Sequence, residues 1–411
     1  MRRAHFLAPL ALSVFILLAG GGFAGASPLP VFSNPVALNP GNVQPSHDFD
    51  LVDVSCVAPG SCTAVGTTYN ASFNVSTPVA ITETKGVWGK AQPVSTPAGA
   101  LSHSVESNVL NAVQCPSIGN CVAVGEYVDA SGIGTPMAAS EVNGVWQAAV
   151  PITLPADAIS ATANATREYP AYLSGLSCQS LDTCTAIGTY YEAANGSGLM
   201  SVSDSGGTWE AATEIGVSAG YQMEADSWSI SCSDTVDCTA AGPLLGTSAY
   251  FASTATESDG TWGDASAIST TRGSDIDAIS CRSTTTCVAV GYKGGGSHAV
   301  PLIFDEGNGV WGQIGVSVPS PGGYTNLLSV SCVSVGNCDV VGDATSEGSP
   351  FVVVDSHGKW LKPIILPTIS VIDAKVTGGG SVSCVSSAFC TVVGWHYLSG
   401  KAVGAVAWTS R

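Results

Sequence analysis

Apolar and polar residues alternate in short runs over most of the chain that follows residue 26. One such run spans residues 121–127 (CVAVGEY), and another spans residues 301–304 (PLIF). β-Branched residues are frequent inside the runs, and Gly, Pro, Asn and Ser separate them, as in short strands joined by turns. No stretch beyond residue 26 keeps a helical period. The pattern therefore predicts an all-β fold.

The runs recur in seven units, and each unit contains two cysteines six positions apart and a glycine four residues after the second cysteine. A later run ends in Gly-x-Trp in six of the units. The first cysteines of successive units are 49 to 63 residues apart, which is about the length of a four-stranded propeller blade. We predict a seven-bladed β-propeller of four-stranded antiparallel blades.

The last unit lacks a fourth run, because its third run, residues 402–407, is followed closely by Arg411. Residues 31–38 precede the first unit and resemble the fourth runs of the other units. We therefore expect this N-terminal segment to supply the missing strand of the last blade. Such a closure joins the ends of the ring and removes its open edges.

All 14 cysteines of the chain belong to these local pairs. This spacing suits a disulfide between the first two strands of each blade, since facing residues of an antiparallel pair are close enough to be bridged. Zinc sites prefer cysteines about two to four residues apart, so no metal is expected at these pairs. The predicted disulfides are Cys56–Cys62, Cys115–Cys121, Cys178–Cys184, Cys232–Cys238, Cys281–Cys287, Cys332–Cys338 and Cys384–Cys390.

Residues 1–26 have the pattern of a secretory signal peptide, with Arg2 and Arg3, an apolar stretch, and a small-residue cleavage site at residues 24–26. An uncleaved membrane anchor is the alternative. Cleavage leaves residues 27–411 as a single propeller domain without a membrane span, and paired cysteines behind an export signal predict a secreted, extracellular protein. We expect a monomer.

The chain is acidic, with a formal net charge of −18. Removal of the leader, which holds Arg2 and Arg3 and no acidic residue, changes this charge to −20. Such a charge argues against nucleic acid and anionic membranes as partners.

The hairpin that ends in Gly-x-Trp resembles the Asp box of BNR or sialidase-type propellers, Ser-x-Asp-x-Gly-x-Thr-Trp. Residues 202–209 (VSDSGGTW) match it best. The other units keep an acidic residue five positions before the tryptophan, at Glu83, Glu141, Glu257, Glu306 and Asp355. The resemblance implies a propeller with structural hairpins away from the catalytic funnel. It does not imply sialidase activity, because such enzymes need an arginine triad for the substrate carboxylate. Beyond the leader the chain has only Arg167, Arg272, Arg282 and Arg411, of which Arg411 is terminal and Arg282 lies inside a cysteine hairpin. Over its whole length the chain is similar to exported repeat proteins of the propeller type.

Acidic and aromatic residues occupy the loops that lead into the first strand of several units, and in a propeller these loops gather around the central channel. The candidate catalytic acids are Glu168, Glu224 and Asp226. The candidate binding residues are Tyr169, Tyr172, Tyr221, Asp275 and Asp277. Converging carboxyl groups bind Ca²⁺ or a polyol, or act as the acid and base of a glycosidase. The alternative is a solvated acidic rim.

Other repeated residues have structural interpretations. We expect the Gly-x-Trp tryptophans to pack between blades, and the repeat glycines to allow close strand approach or a bulge. A serine or glutamine precedes each first cysteine, and it is expected to line the channel or to face a neighbouring blade.

No nucleophile elbow, phosphate loop, His-Glu-x-x-His or calcium-loop motif occurs in the sequence. The leading hypothesis is therefore a non-catalytic extracellular binding module for a glycan, a cation or a protein. A carbohydrate-active hydrolase or lyase with acids in the central funnel is the alternative, and a purely structural surface protein is a third. No cofactor is expected, and Ca²⁺ at the acidic loops stays open.

Overall fold

The alternating runs form strands, and consecutive strands pair antiparallel into seven separate sheets. The computed structural model describes residues 30–41, 46–70, 75–101, 108–158, 171–192, 196–223, 227–283, 285–294, 299–316, 325–344, 349–368, 377–397 and 403–410. Within these ranges all regular structure is β-strand. The prediction of seven four-stranded blades is confirmed.

Each blade is a meander whose first strand is innermost, and in blades 1, 2 and 4 the outer strand is split into two short pieces. Blade 1 contains β2 (Ser46–Ala58), β3 (Ser61–Asn70), β4 (Ser76–Thr84), β5 (Val87–Trp88) and β6 (Gln92–Pro93). Blade 2 contains β7 (Val109–Ser117), β8 (Asn120–Val128), β9 (Gly134–Val142), β10 (Val145–Trp146) and β11 (Val150–Pro151). Blade 3 contains β12 (Ala171–Ser180), β13 (Thr183–Tyr191), β14 (Ser197–Ser205) and β15 (Thr213–Ile215).

The remaining blades follow the same order. Blade 4 contains β16 (Ser229–Cys232), β17 (Cys238–Leu245), β18 (Tyr250–Ser258), β19 (Thr261–Trp262) and β20 (Ser266–Ala267). Blade 5 contains β21 (Ser274–Ser283), β22 (Thr286–Lys293), β23 (Val300–Gly307) and β24 (Val310–Ile314). Blade 6 contains β25 (Thr325–Ser334), β26 (Asn337–Ala344), β27 (Ser349–Ser356) and β28 (Ile364–Ile365). Blade 7 contains β29 (Thr377–Ser386), β30 (Phe389–Tyr397), β31 (Val403–Thr409) and β1 (Val36–Ala37).

The N-terminal segment closes blade 7, as predicted. Strand β1 pairs antiparallel with β31, with Val36 opposite Ala407. The pairing continues outward to a bridge between Phe32 and Ser410. Phe32 is 7% exposed and packs in the core between blades 6 and 7. The last blade therefore has four strands, of which the N-terminal segment supplies one and the C-terminal unit supplies three.

A row of four residues crosses each blade at the end where its first hairpin turns. In blade 2 the row consists of Cys115, Cys121, Glu141 and Trp146, with Glu141 opposite both Cys121 and Trp146. In blade 7, Ser410 takes the place of the acid and Phe32 takes the place of the tryptophan. All seven predicted disulfides are formed, with Cα–Cα distances of 3.9–4.0 Å.

The hairpin between the acid and the tryptophan has a two-residue turn in which both residues have positive φ, as in Asn143 (51°) and Gly144 (81°). This is the type I′ geometry, whose twist matches that of the paired strands. It explains why the glycine lies one position later than in the Asp box, since the second turn position is the one kept as glycine.

The repeat glycines allow a close approach between the two inner strands. A Cβ at Gly66 would lie 2.0 Å from the carbonyl oxygen of Asp50 and 2.8 Å from the Cα of Leu51. The pairing register shifts at this point, so that Val52 is the extra residue of a β-bulge. The expected close approach and bulge are also found at Gly125, Gly188, Gly291 and Gly342, whereas Gly242 of blade 4 contacts the indole of Trp228.

The hydrophobic core lies between blades. In one cluster Trp146, Cys115 and Cys121 of blade 2 pack with Val65 and Ala80 of blade 1. The other clusters also combine residues of neighbouring blades. The tryptophans are therefore packing anchors between blades, as predicted.

Candidate functional site

The innermost strands of all seven blades enclose a central channel of about 690 Å³. Six of these strands carry a β-bulge opposite the repeat glycine, and the extra residue of this bulge lines the channel. The extra residues are Val52, Asn111, Ser174, Asp277, Leu328 and Gly380. The bulge position thus differs in chemistry from blade to blade within a uniform frame.

A ring of hydrogen bonds joins neighbouring blades around the channel, and we call it the serine collar. The Oγ of the serine before a first cysteine accepts the backbone N–H of the first cysteine of the next blade, at 2.9–3.1 Å. The collar serines are Ser55, Ser177, Ser231, Ser280, Ser331 and Ser383. Gln114 stands at the seventh position. The serine side chains line the channel and also accept a hydrogen bond from a neighbouring blade. Both placements expected from the sequence, at the channel and against a neighbouring blade, are therefore observed.

Asp53 connects three blades at the channel wall. Its Oδ2 accepts the backbone N–H of Val113 in blade 2 at 2.8 Å, and its Oδ1 accepts the Oγ–H of Ser381 in blade 7 at 2.7 Å. Burial raises the pKa of this carboxyl to about 6, although these hydrogen bonds act against the rise. Asp53 has a structural contact on each side and is not a free ligand group.

Asn111 and Glu126 form a polar pair beside the channel. The Nδ2 of Asn111 donates to the Oε2 of Glu126 at 2.7 Å and to the carbonyl of Leu173 at 3.0 Å. Glu126 is 8% exposed, and its burial raises its pKa to about 8. The pair therefore presents an amide held in position and a carboxyl that is protonated near neutral pH.

The mouth of the channel is the end formed by the starts of the innermost strands, away from the disulfides. Here the Oη of Tyr292 donates to the Oδ2 of Asp275 at 3.4 Å, and the Oδ1 of Asp275 accepts the N–H of Ile276 at 2.7 Å. Asp50 lies at the same level of blade 1, where burial and the nearby Asp48 raise its pKa to about 6. Carboxyl and phenol groups thus occur together at the mouth.

The predicted site residues fall into three groups, namely those on the innermost strands, one in the core between blades, and those outside the described ranges. In the first group, Asp277 lines the channel, Asp275 pairs with Tyr292 at the mouth, and Tyr172 lies opposite Thr189. Tyr221 contacts Phe251 edge to face, with ring centroids 5.8 Å apart, and packs in the core between blades 3 and 4. The residues outside the described ranges are Glu168, Tyr169, Glu224 and Asp226.

Sequence reasoning missed Asn111, Glu126 and Tyr292. The position after the repeat glycine would have indicated two of them, because it is polar in most units although it lies in a buried strand. Its occupants are Thr67, Glu126, Thr189, Pro243, Tyr292, Asp343 and Trp395.

One group of potential metal ligands occurs in the described part of the chain, namely Asp339 with Cys384 and Cys390. The two sulfurs are bonded to each other as a disulfide, so they offer no thiolate. In the same part of the chain, no helix has the length and apolar character needed to cross a membrane.

Solved structures of other proteins are similar to this chain over nearly its whole length. No protein-family model and no curated protein matches the sequence. The chain is similar to the BP39L lectin from Burkholderia pseudomallei, with 15% identity, a TM-score of 0.55, and coverage of 88% of this chain and 96% of that one. It is also similar to a polysaccharide lyase of a family described as PL25 ulvan lyases, with 9% identity, a TM-score of 0.51, and coverage of 93% and 94%.

A sialidase described as Hadza microbial sialidase Hz136 matches with 8% identity and a TM-score of 0.45, over 88% of this chain and 65% of that one. At these identities the likeness concerns the fold alone. Sheets, closure and structural neighbours agree that this chain is a seven-bladed β-propeller.

Proposed function

We propose that the protein is a non-catalytic binding module that takes a glycan at the mouth of its central channel. The observation that carries this proposal is the pair formed by Tyr292 and Asp275, which combines an aromatic ring with hydrogen-bonding groups at the start of an innermost strand. Asp277, two residues further along this strand, lines the channel of about 690 Å³. Ligand sites in proteins commonly have such volumes and a few fixed polar groups. Asn111 lines the channel nearby, and its amide oxygen is an acceptor there, because both of its N–H donors bind Glu126 and a backbone carbonyl of blade 3.

The net charge of the chain narrows the class of glycan that we expect to bind. A formal charge of −18 repels polyanions. We therefore expect a neutral or cationic glycan at the mouth. The similar propeller from Burkholderia pseudomallei is described as a lectin, which is compatible with this use of the fold.

The test is a glycan array probed with the labelled, oxidised protein, followed by calorimetric titration of the best ligand. Removal of one hydrogen-bonding hydroxyl costs about 1–1.5 kcal/mol, so Tyr292→Phe should weaken binding roughly tenfold. Tyr221→Phe is the matched control, because it keeps the ring that contacts Phe251 in the core. Retention of no glycan, or equal affinity of Tyr292→Phe and wild type, would refute the proposal.

A second candidate is a carbohydrate-active hydrolase or lyase that works in the same funnel. The observation in its favour is Glu126, since a carboxyl with a pKa of about 8 can act as a general acid at neutral pH. Digestion of neutral and uronate-containing polysaccharides, with detection of reducing ends and unsaturated products, tests it. This candidate requires that Glu126→Gln abolish the products, and the absence of products with wild-type protein removes it.

Export from the cell is part of the proposal. Seven disulfides support folding in an oxidising compartment. Detection of the chain in the medium or at the surface, beginning after residue 26, is the expected result.

A further inference from the structure

A groove of about 570 Å³ lies between blades 1 and 2, outside the central channel and near the disulfide ends of the blades. Blade 1 contributes Thr63, Thr82 and Gln92 to its lining, and blade 2 contributes Glu141 and Trp146. Its volume falls in the range of small-ligand sites. The groove mixes hydroxyl, amide, carboxyl and indole groups.

Glu141 supplies a buried polar group that lacks a partner. It lies in register with Cys121 and Trp146, whose side chains pack against Val65 and Ala80 of blade 1. Because alternate residues of a strand share a face, and cross-strand partners do as well, the carboxyl of Glu141 is on the face toward blade 1. Glu141 is 3% exposed, and its Oε2 has no hydrogen-bond partner.

Such a group normally finds a partner, because burial of an unpaired polar atom costs about 1–3 kcal/mol. Burial also raises the pKa of Glu141 above its ordinary value, because a carboxylate without a partner is poorly stabilised there. A hydroxyl group of a ligand can donate a hydrogen bond to Oε2 and so supply the missing partner.

The opposite wall carries two hydroxyl groups. The Oγ1 atoms of Thr63 and Thr82 lie 3.5 Å apart on neighbouring strands of blade 1. Lys90 and Gln92 are exposed residues of the same blade at the groove. Donors and acceptors therefore face the groove from both blades.

The groove is not a general property of the blade interfaces. Between blades 4 and 5, Thr239 and Thr256 correspond to Thr63 and Thr82, but the cavity there measures only about 10 Å³. The interface between blades 1 and 2 thus combines the repeated polar groups with a volume that can hold a ligand.

We propose that the groove between blades 1 and 2 binds a neutral mono- or disaccharide, whose hydroxyl groups pair with Glu141, Thr63 and Thr82 beside the indole of Trp146. A saccharide has many hydroxyl groups to match these partners, together with apolar C–H faces that pack on aromatic rings. The site is separate from the channel mouth, and its existence does not depend on the function proposed above.

The test uses side-chain indole N–H signals of protein labelled with ¹⁵N-tryptophan, titrated with cellobiose, lactose, N,N′-diacetylchitobiose and methyl α-mannoside. The Trp146 signal is assigned with Trp146→Phe. We expect one of these sugars to shift the Trp146 signal in a saturable way. No shift of this signal with any of the four sugars overturns the proposal.

Glu141→Leu is the decisive variant, because it removes the carboxyl and keeps a similar volume. Since Oε2 has no partner in the folded protein, we expect stability to be kept while sugar affinity falls at least tenfold. Thr82→Val is a second variant, which keeps its shape and should weaken the sugar roughly tenfold.

Glu306→Leu is the matched control. Glu306 also has a buried, unpaired Oε2, but it belongs to the row of blade 5 with Cys287 and Trp311, which packs toward blade 4, away from the groove. This variant should keep the affinity of wild type. Equal affinity of Glu141→Leu and wild type would overturn the proposal, as would equal losses in Glu141→Leu and Glu306→Leu. Tyr292→Phe must leave the Trp146 titration unchanged, which separates this site from the channel mouth.

Discussion

The closure of blade 7 predicts that Phe32→Ala destabilises the whole ring. Phe32 is 7% exposed and packs with Trp408 and Val354 in the core between blades 6 and 7. Truncation of a buried phenylalanine removes roughly 100–150 Å² of apolar surface and leaves a cavity, which together cost about 3–4 kcal/mol. The same contact keeps β1 next to β31, so its loss also weakens the pairing.

The size of the chain sets the expected change in midpoint. With an unfolding entropy of about 2.1 cal/mol/K per residue, a chain of 411 residues has roughly 0.8–0.9 kcal/mol/K in total. Phe32→Ala should therefore lower the Tm by about 4 °C. Calorimetry of the oxidised protein measures this shift.

Hydrogen exchange locates the effect. The N–H of Ser33 donates to the carbonyl of Thr409 at 2.9 Å, and the N–H of Leu38 donates to the carbonyl of Ala405 at 2.9 Å. These amides should lose protection in Phe32→Ala before amides of blade 3 do. Val31→Ala is the control, because Val31 is 72% exposed and its truncation should change stability by less than about 0.5 kcal/mol. If the two variants behaved alike, the assigned role of this segment in closure would be wrong.

Three further predictions concern the inner strands. Gly66→Ala should lower the free energy of unfolding by more than about 3 kcal/mol or prevent folding, because its Cβ would meet backbone atoms of Asp50 and Leu51. The control Gly89→Ala has ordinary contact distances and should change stability little. Expression yields and urea midpoints compare the two variants, and equal midpoints would contradict the close approach at Gly66. Ser383→Ala removes the acceptor of the Cys56 N–H at the seam between blades 7 and 1, so a loss of about 1 kcal/mol is expected in urea unfolding, and no loss would mean that the serine collar does not stabilise the ring. Glu126 has a pKa of about 8 in the folded protein and about 4.5 when unfolded, so the unfolded chain binds fewer protons and stability falls as pH rises between these values. Glu126→Gln should remove up to about 1.4 kcal/mol per pH unit of this slope, and an unchanged slope would show that Glu126 is ionised in the folded protein.

Repetition made the architecture predictable from the sequence. The cysteine pairs, the glycines and the Gly-x-Trp sites recur with fixed spacing, so the strands, the disulfides and the closure by residues 31–38 could all be inferred. The same spacing assigned the tryptophans to packing, since a residue needed by every blade serves the frame.

The candidate site was harder to predict from the sequence, because it depends on residues that differ between units. Asn111 and Asp277 reach the channel through β-bulges, and a bulge shifts the side-chain alternation in a way that no count along the sequence reveals. Glu126 and Asn111 lie 15 positions apart and meet only after the inner strands pair. Tyr221 illustrates the converse, because an aromatic residue in a loop packs on Phe251 between blades.

The seam between the last and first blades is built like the other interfaces around the ring. Ser383 and Cys56 form the same hydrogen bond as the neighbouring pairs, and Phe32 and Ser410 lie side by side on one bridge. Facing residues in such a bridge have Cα atoms about 4.5–5.5 Å apart, so a linker of a few glycines can join them. The fold therefore requires the cyclic order of the blades, and it does not require that the chain begin at blade 1. A circular permutant opened between blades 5 and 6 should assemble the same ring, with its seam moved to the new break.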